Sequence, residues 1–237
     1  FLNIGELGKH FHVYAPDLLG FGYTDKVHDF TRQWDARMSH VRRFMEVLCI
    51  PEAHFVGSSF SGGLLQRISA MTPSPWNIIS YISSSGGSRG GIALPNNDAT
   101  ATLQGYDGTK EWMKRILQAI FYDEKWWTPS IVEERWLASI EPGAWEALSA
   151  GRVARPGAER PSPPGPPDFS KITVPVLLVC GDEDELRSLD VQKELHGMID
   201  GSEFHSFPKA KHNVHIEYSE EFNRLAIDFF VRNSKKR

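Results

Sequence analysis

Val56-Gly57-Ser58-Ser59-Phe60-Ser61-Gly62-Gly63 is the stretch that decides how this chain folds. It lies between a β-type run, Ala53-His54-Phe55-Val56, and a helical run from Gly62 to Ala70. A strand, a sharp turn and a helix, with small residues two positions either side of a central serine, lift a nucleophile above the end of a sheet. Only small neighbours fit, because the chain doubles back on itself there. The central residue is Ser59, with Gly57 before it and Ser61 after it. Ser61 stands where a second glycine is usual, so Ser58 and Ser61 remain alternative exposed hydroxyls. The register set by Gly57 favours Ser59.

Outward from this turn, β-type and helical runs alternate. Residues 12–15, 53–56, 78–82, 174–180 and 202–207 read as strands. Residues 34–48, 62–70, 191–198 and 217–231 read as helices; in the first, Met38, Val41, Met45 and Leu48 recur at helical spacing. Such alternation implies parallel pairing and a sheet with helices on both faces. The middle departs from it. From about Gly86 to Asp168 no strand is evident, and helices are expected over 110–121, from Pro129 to Ile140 and over 141–150. Trp112, Trp126, Trp127 and Trp136 read as the core of this helical insertion. Gly86 to Gly91 reads as a hinge leading into it. Residues 155–167, RPGAERPSPPGPP, read as a Pro-rich linker.

A serine alcohol needs a base beside it to act as a nucleophile at neutral pH. On this type of turn the partners follow in the order acid, then histidine. The strongest apolar run, 174–180, is followed by Gly181-Asp182-Glu183-Asp184-Glu185. A Gly-x-x-Asp spacing selects Asp184, while Asp182 and Glu185 fit a solvated acidic turn. After the last strand comes Lys209-Ala210-Lys211-His212-Asn213-Val214-His215. His212 is the expected base and His215 its competitor, better suited to packing at the helix start. The backbone N–H of Phe60 is the expected oxyanion donor. A second donor would come from a Gly-rich loop after an earlier strand, and the sequence before Tyr14 contains no such loop.

Composition narrows the alternatives. The 237 residues are 41% hydrophobic and 24% charged, with a net charge of −4. This excludes a disordered or fibrous chain and argues against a dedicated nucleic-acid binder. No apolar run approaches the roughly 18 residues of a membrane span. The two cysteines, Cys49 and Cys180, each sit in an apolar run and read as buried free thiols. There is no His-Glu-x-x-His, no Gly-x-Gly-x-x-Gly after the first strand and no Walker-type loop. No cofactor or metal is therefore expected. The expected partner is a small-molecule substrate, with no nucleic acid and no membrane. A cytoplasmic location is expected, and a homo-oligomer is compatible with the sequence.

At these residues the chain resembles the α/β-hydrolase family, over nearly its whole length. Residues 14–25, YAPDLLGFGYTD, are similar to the family's fourth-strand segment, and residues 220–230, EEFNRLAIDFF, to its last helix. Within the family it most resembles the meta-cleavage product hydrolases, which cut a carbon–carbon bond in vinylogous 1,5-diketones. Phe1 to Gly5 resembles their first helix; Leu117 to Asp123 and Glu134-Arg135-Trp136 resemble their cap. The resemblance implies that Arg135 binds a substrate carboxylate, with Trp136, Ser58 and Asn213 beside the substrate; the other reading of Arg135 is a surface helix charge near Glu133 and Glu134. It also implies an α/β-hydrolase fold in three parts: core residues 1–86, a helical cap and linker over 87–168, and core residues 169–237. The chain departs from that group at Ser58 (usually Asn), Asn213 (usually Trp) and Lys211 (usually Gly), which leaves ester and C–C substrates both open. Family members begin with further strands and the oxyanion loop. Since residue 1 is Phe, the expectation is a chain lacking its amino-terminal segment, with one strand missing between those ending at Ala15 and Val56.

The expected function is hydrolysis by a Ser59–His212–Asp184 triad, with Ser59 as nucleophile or acting through a His212-activated water. The alternatives are a non-catalytic ligand-binding relative and an inactive fragment with an incomplete oxyanion hole.

Overall fold

A computed structural model describes residues 2–27, 33–88, 90–91, 94–149 and 165–234. Most of the Pro-rich stretch, 155–164, lies outside the described residues.

Four strands form one sheet in the order β1 (Ala53–Ser58), β2 (Ile78–Ser84), β3 (Val176–Gly181) and β4 (Glu203–Phe207). All three pairings are parallel, with Val56 opposite Ile82, Ile82 opposite Leu177, and Leu177 opposite Glu203. β3 is buried at every position, which explains why Val-Leu-Leu-Val-Cys-Gly is continuously apolar rather than alternating. β1 and β4 are the edges and are only partly covered, Val56 being 44% exposed.

Helices cover both faces of this sheet. On one lie α2 (Gln33–Val47), α3 (Phe60–Ser69) and α8 (Leu189–Met198). They pack Val41, Leu64, Leu65, Ile68 and Leu195 against Tyr81, Val176 and Leu178. On the other lie α1 (Ile4–Leu7), α9 (Val214–Glu217) and α10 (Ser219–Ser234), which pack Leu7, Val214, Phe222, Ala226 and Phe229 against Ile82, Leu177 and Val179. The expected closing helix, 217–231, is α10, which starts at Ser219 just after the short α9.

Between β2 and β3 the chain leaves the sheet for α4 (Asp98–Gln104), α5 (Lys110–Ile120), α6 (Pro129–Ser139) and α7 (Ala144–Ser149). α5 places Met113, Leu117 and Ile120 on one stripe and buries all three. They join Ala99, Phe121 and Val132, with Trp126, Trp127 and Trp136 packed around them. Leu186 and Ile216 enter this cluster from the sheet side, so the helical layer rests on the loops that follow β3 and β4. α4 is an element the periodicity did not suggest. Its start is fixed by Asn97, whose side chain accepts the Thr100 N–H at 2.9 Å.

Two expectations are corrected. Residues 12–15 belong to no ladder. The run offers the sheet only one apolar side chain, Val13, while the rings of His12 and Tyr14 stack on each other with centroids 4.5 Å apart. Nor is Cys49 buried. The inward stripe of α2 runs through Val41 and Met45, but the helix ends at Val47 and Cys49 turns away at φ +52°.

Cys180 is fully enclosed in β3. Burial first, then the nearby Asp184 and Asp182 carboxylates, push its thiol up to about 12. One thiol should therefore react with iodoacetamide in the native protein at pH 8 and two after unfolding. Native modification of both, measured by intact mass, would contradict the packing of β3.

Candidate active site

Because every strand is parallel, the turns after β1, β2, β3 and β4 all leave the sheet at one edge. Ser59 follows β1, Asp184 follows β3 and His212 follows β4.

Ser59 occupies the turn at φ +53° and ψ −112°, a conformation that L-residues rarely adopt. Such a residue costs about 1–3 kcal/mol and persists only where its surroundings hold it. Its N–H donates to the Ser84 carbonyl at 2.8 Å, fastening the turn to β2, and its carbonyl accepts from Gly63 at 3.1 Å. At Gly57 a Cβ would lie 2.6 Å from the Ser61 carbonyl, which is the steric reason for a glycine there. The Phe60 N–H is the first amide of α3 and lies outside that helix's own ladder.

Of the acids after β3, only Asp184 is buried. Its Oδ1 accepts the N–H groups of Leu186 at 2.9 Å and Arg187 at 3.1 Å. Its Oδ2 accepts from His212 Nδ1 at 2.8 Å, within a pair almost sealed from solvent. This fixes the imidazole so that Nε2 is the ring nitrogen left for chemistry. The two loops meet because Gly181 lets them. A Cβ there would collide with the Ala210 and Lys211 carbonyl oxygens. Asp182 and Glu183 then donate to the carbonyls of Phe207 and Ala210 at 2.9 and 3.0 Å, drawing the histidine loop over the tip of β3. Among the described residues the Ser59 hydroxyl makes no direct hydrogen bond to His212.

The remaining expected residues divide. Arg135 on α6 is exposed, yet desolvation lowers its pKa, and it acts electrostatically on His215. Its guanidinium makes no hydrogen bond or ion pair among the described residues. Trp136 is directed elsewhere: its Nε1–H donates to the Gly108 carbonyl at 2.8 Å and Lys110 lies 5.0 Å over its ring. Asn213 begins α9, and its N–H donates to the Ile120 carbonyl at 3.3 Å. Ser58, the last residue of β1, sits opposite Ser84. Two surface hollows, of about 260 and 540 Å³, contain none of these residues.

Two contributors escaped the sequence reading. Arg37 is buried between the rings of Phe21 and Phe60, 5.0 and 5.1 Å from their centroids, and its Nε donates to Leu19. It braces the 18–21 turn against the start of α3. Glu217, at the end of α9, accepts backbone N–H groups from both the helical layer and the histidine loop. A buried arginine on an amphipathic helix and a carboxylate aimed at backbone have no sequence signature.

His215 is the other histidine of the loop. Burial, together with positive charge at His212 and Arg135, pushes its pKa down to about 4, and its Nδ1 has no partner among the described residues. Between about pH 6.5 and 4 the unfolded chain binds a proton that the folded chain refuses, so stability falls as pH falls through that window. The effect is about 1–3 kcal/mol. His215→Gln should flatten the decline of Tm between pH 6.5 and 4.5. Parallel curves for the two proteins would contradict the burial of this ring.

Residues 1–225 match the alpha/beta hydrolase family. A 2-hydroxymuconate semialdehyde hydrolase of Pseudomonas sp. (strain CF600) is 27% identical over 97% of this chain and 80% of its own length. A 2-hydroxy-6-oxo-2,4-heptadienoate hydrolase of Pseudomonas putida is 26% identical over 95% of this chain and 80% of its own. The solved structure of a meta-cleavage product hydrolase from Pseudomonas fluorescens IP01 superposes with a TM-score of 0.83, at 26% identity over 98% of this chain and 84% of that one. The chain belongs to the alpha/beta hydrolase family.

Proposed function

We propose that this protein hydrolyses a small carbonyl substrate with a Ser59–His212–Asp184 triad, and that the substrate is a 2-hydroxy-6-oxo-2,4-dienoate of the kind named for its relatives. The observation that carries the reading is the enclosed His212–Asp184 hydrogen bond at the sheet edge that also bears the strained Ser59.

Asp184 holds the imidazole with Nε2 outward and stabilises its cationic form. Ser59 Oγ bonds to the carbonyl carbon while its proton passes to Nε2. The developing oxyanion is met by the Phe60 N–H. His212 then returns the proton to the leaving group. In an ester that group is an alkoxide; in a vinylogous diketone it is a carbon whose electron pair spreads into the dienol. Water repeats the cycle in reverse order and frees the acid, so one water is consumed per bond cut.

The helical layer over residues 87–168 acts as the cap, and residues 1–86 and 169–237 as the core. From the cap, Arg135 pairs with the substrate carboxylate; among the described residues its guanidinium makes no hydrogen bond, and its desolvated setting suits a bidentate anion. Ser58 and Asn213 flank the reacting atoms. Trp136 contributes packing, since its N–H is engaged.

The absence of a direct Ser59–His212 bond favours a second reading, a ligand-binding relative without turnover. Kinetics separate the two. Turnover of a conjugated dienoate, followed by loss of its absorbance, should fall at least about 1,000-fold in Ser59→Ala and in His212→Ala. Arg135→Gln should raise KM for the dienoate about 10- to 100-fold, as expected for one charged hydrogen-bonding partner. It should leave hydrolysis of a neutral p-nitrophenyl ester unchanged. A wild-type protein that binds the dienoate without consuming it would establish the second reading.

A further inference from the structure

Glu217 joins two parts of the molecule that no chain connection brings together. Its Oε2 accepts the N–H groups of Tyr122 at 2.9 Å and Asp123 at 3.3 Å, just beyond the end of α5. Its Oε1 accepts the N–H of Lys211 at 3.0 Å, the residue immediately before His212. Three further bonds cross the same seam. The Asn213 N–H donates to Ile120 at 3.3 Å, Lys211 Nζ donates to the Gln118 carbonyl at 2.9 Å, and Asn97 Nδ2 donates to the Glu185 carbonyl at 2.6 Å. Glu217 is the group common to the helical layer and the histidine loop.

We propose that Glu217 is a positioning residue that couples seating of the helical layer to placement of His212, and that protonating it uncouples the two. The coupling to catalysis rests on His212 being the base, as argued above. A carboxylate accepts on both oxygens and donates on neither, so it can serve amides on two sides at once. A protonated carboxyl, or the amide of glutamine, presents a donor on one side. One set of backbone N–H groups then faces another donor, and half of the clamp opens.

The surroundings favour such a response. Burial raises the Glu217 pKa against the pull of its three backbone donors, and the Asp123 carboxylate adds to the rise. Asp123 is itself paired with Lys125 at 3.1 Å. On the opposite side Lys211 lies 3.6 Å from Glu185. His212 and His215, with Lys211, are titratable groups on Glu217's own loop and helix. The clamp is complete while Glu217 is ionised and opens as pH falls through its folded pKa, which burial places above that of an ordinary glutamate.

Three readouts test this. In the wild-type protein, exchange of the Lys211, Tyr122 and Asp123 amides, corrected for intrinsic pH dependence, should accelerate several-fold on acidification, and in Glu217→Gln it should already be fast at pH 7. The downfield Nδ1 proton resonance of His212, which reports its bond to Asp184 without any turnover, should broaden or vanish in Glu217→Gln. In that variant kcat should fall about 10-fold or more for ester and dienoate alike, with KM changing less than about threefold. Wild-type exchange and an unchanged His212 resonance in the folded variant would overturn the proposal. So would accelerated exchange with a wild-type kcat. If the variant does not fold, the pH dependence of exchange in the wild-type chain decides, and a flat profile at the three amides overturns it. A wild-type protein without turnover would defeat the reading of the triad; the exchange and resonance data would then still decide the clamp.

Discussion

The hydrogen bond from His212 to Asp184 ties together two loops that leave neighbouring parallel strands, and the site stands on that tie. It forms only because the histidine loop crosses the tip of β3. That crossing requires the Gly181 backbone to approach the Ala210 and Lys211 carbonyls more closely than any side chain permits. Sheet geometry does the rest. Parallel strands put all four carboxyl ends on one edge, so a strained serine after β1 and a buried acid–histidine pair after β3 and β4 lie at the same edge of the sheet. The strain at Ser59 is sustained by the Ser84 carbonyl and by the tightness of the turn at Gly57.

The helical layer is seated by apolar contact as well as by polar bonds. Leu186 follows Asp184 closely and Ile216 follows His212 closely, and both pack into the cluster built by α5 and its neighbours. The helical layer therefore rests on residues two positions after Asp184 and four after His212. A displacement of the layer cannot leave the loops of Asp184 and His212 untouched. Arg135 is exposed on α6, yet the protein around it desolvates its guanidinium.

What could be read from the sequence was local. The Ser59 turn, the choice of Asp184 by its Gly-x-x-Asp spacing, and His212 ahead of the closing helices depend on neighbours a few residues away. The helices of 110–120 and 129–139 followed from periodicity, a cap residue and a proline at the first helical position. Residues 12–15 failed because a strand is a relation between segments: the run has β-type residues but no ladder partner. Cys49 failed because its exposure depends on where α2 stops, two residues earlier. Glu217 was illegible for the same physical reason as the strand, since its donors lie 6 residues away at Lys211 and 95 and 94 away at Tyr122 and Asp123.

The central claim is that one serine, on one strained turn, is activated by His212. Reaction of the folded protein with a fluorophosphonate ester, followed by proteolysis and tandem mass spectrometry, tests it most directly. The account predicts a single adduct on Ser59 that is absent in the folded His212→Ala variant. An unlabelled folded protein, or an adduct on Ser58 or Ser61 instead, would contradict it.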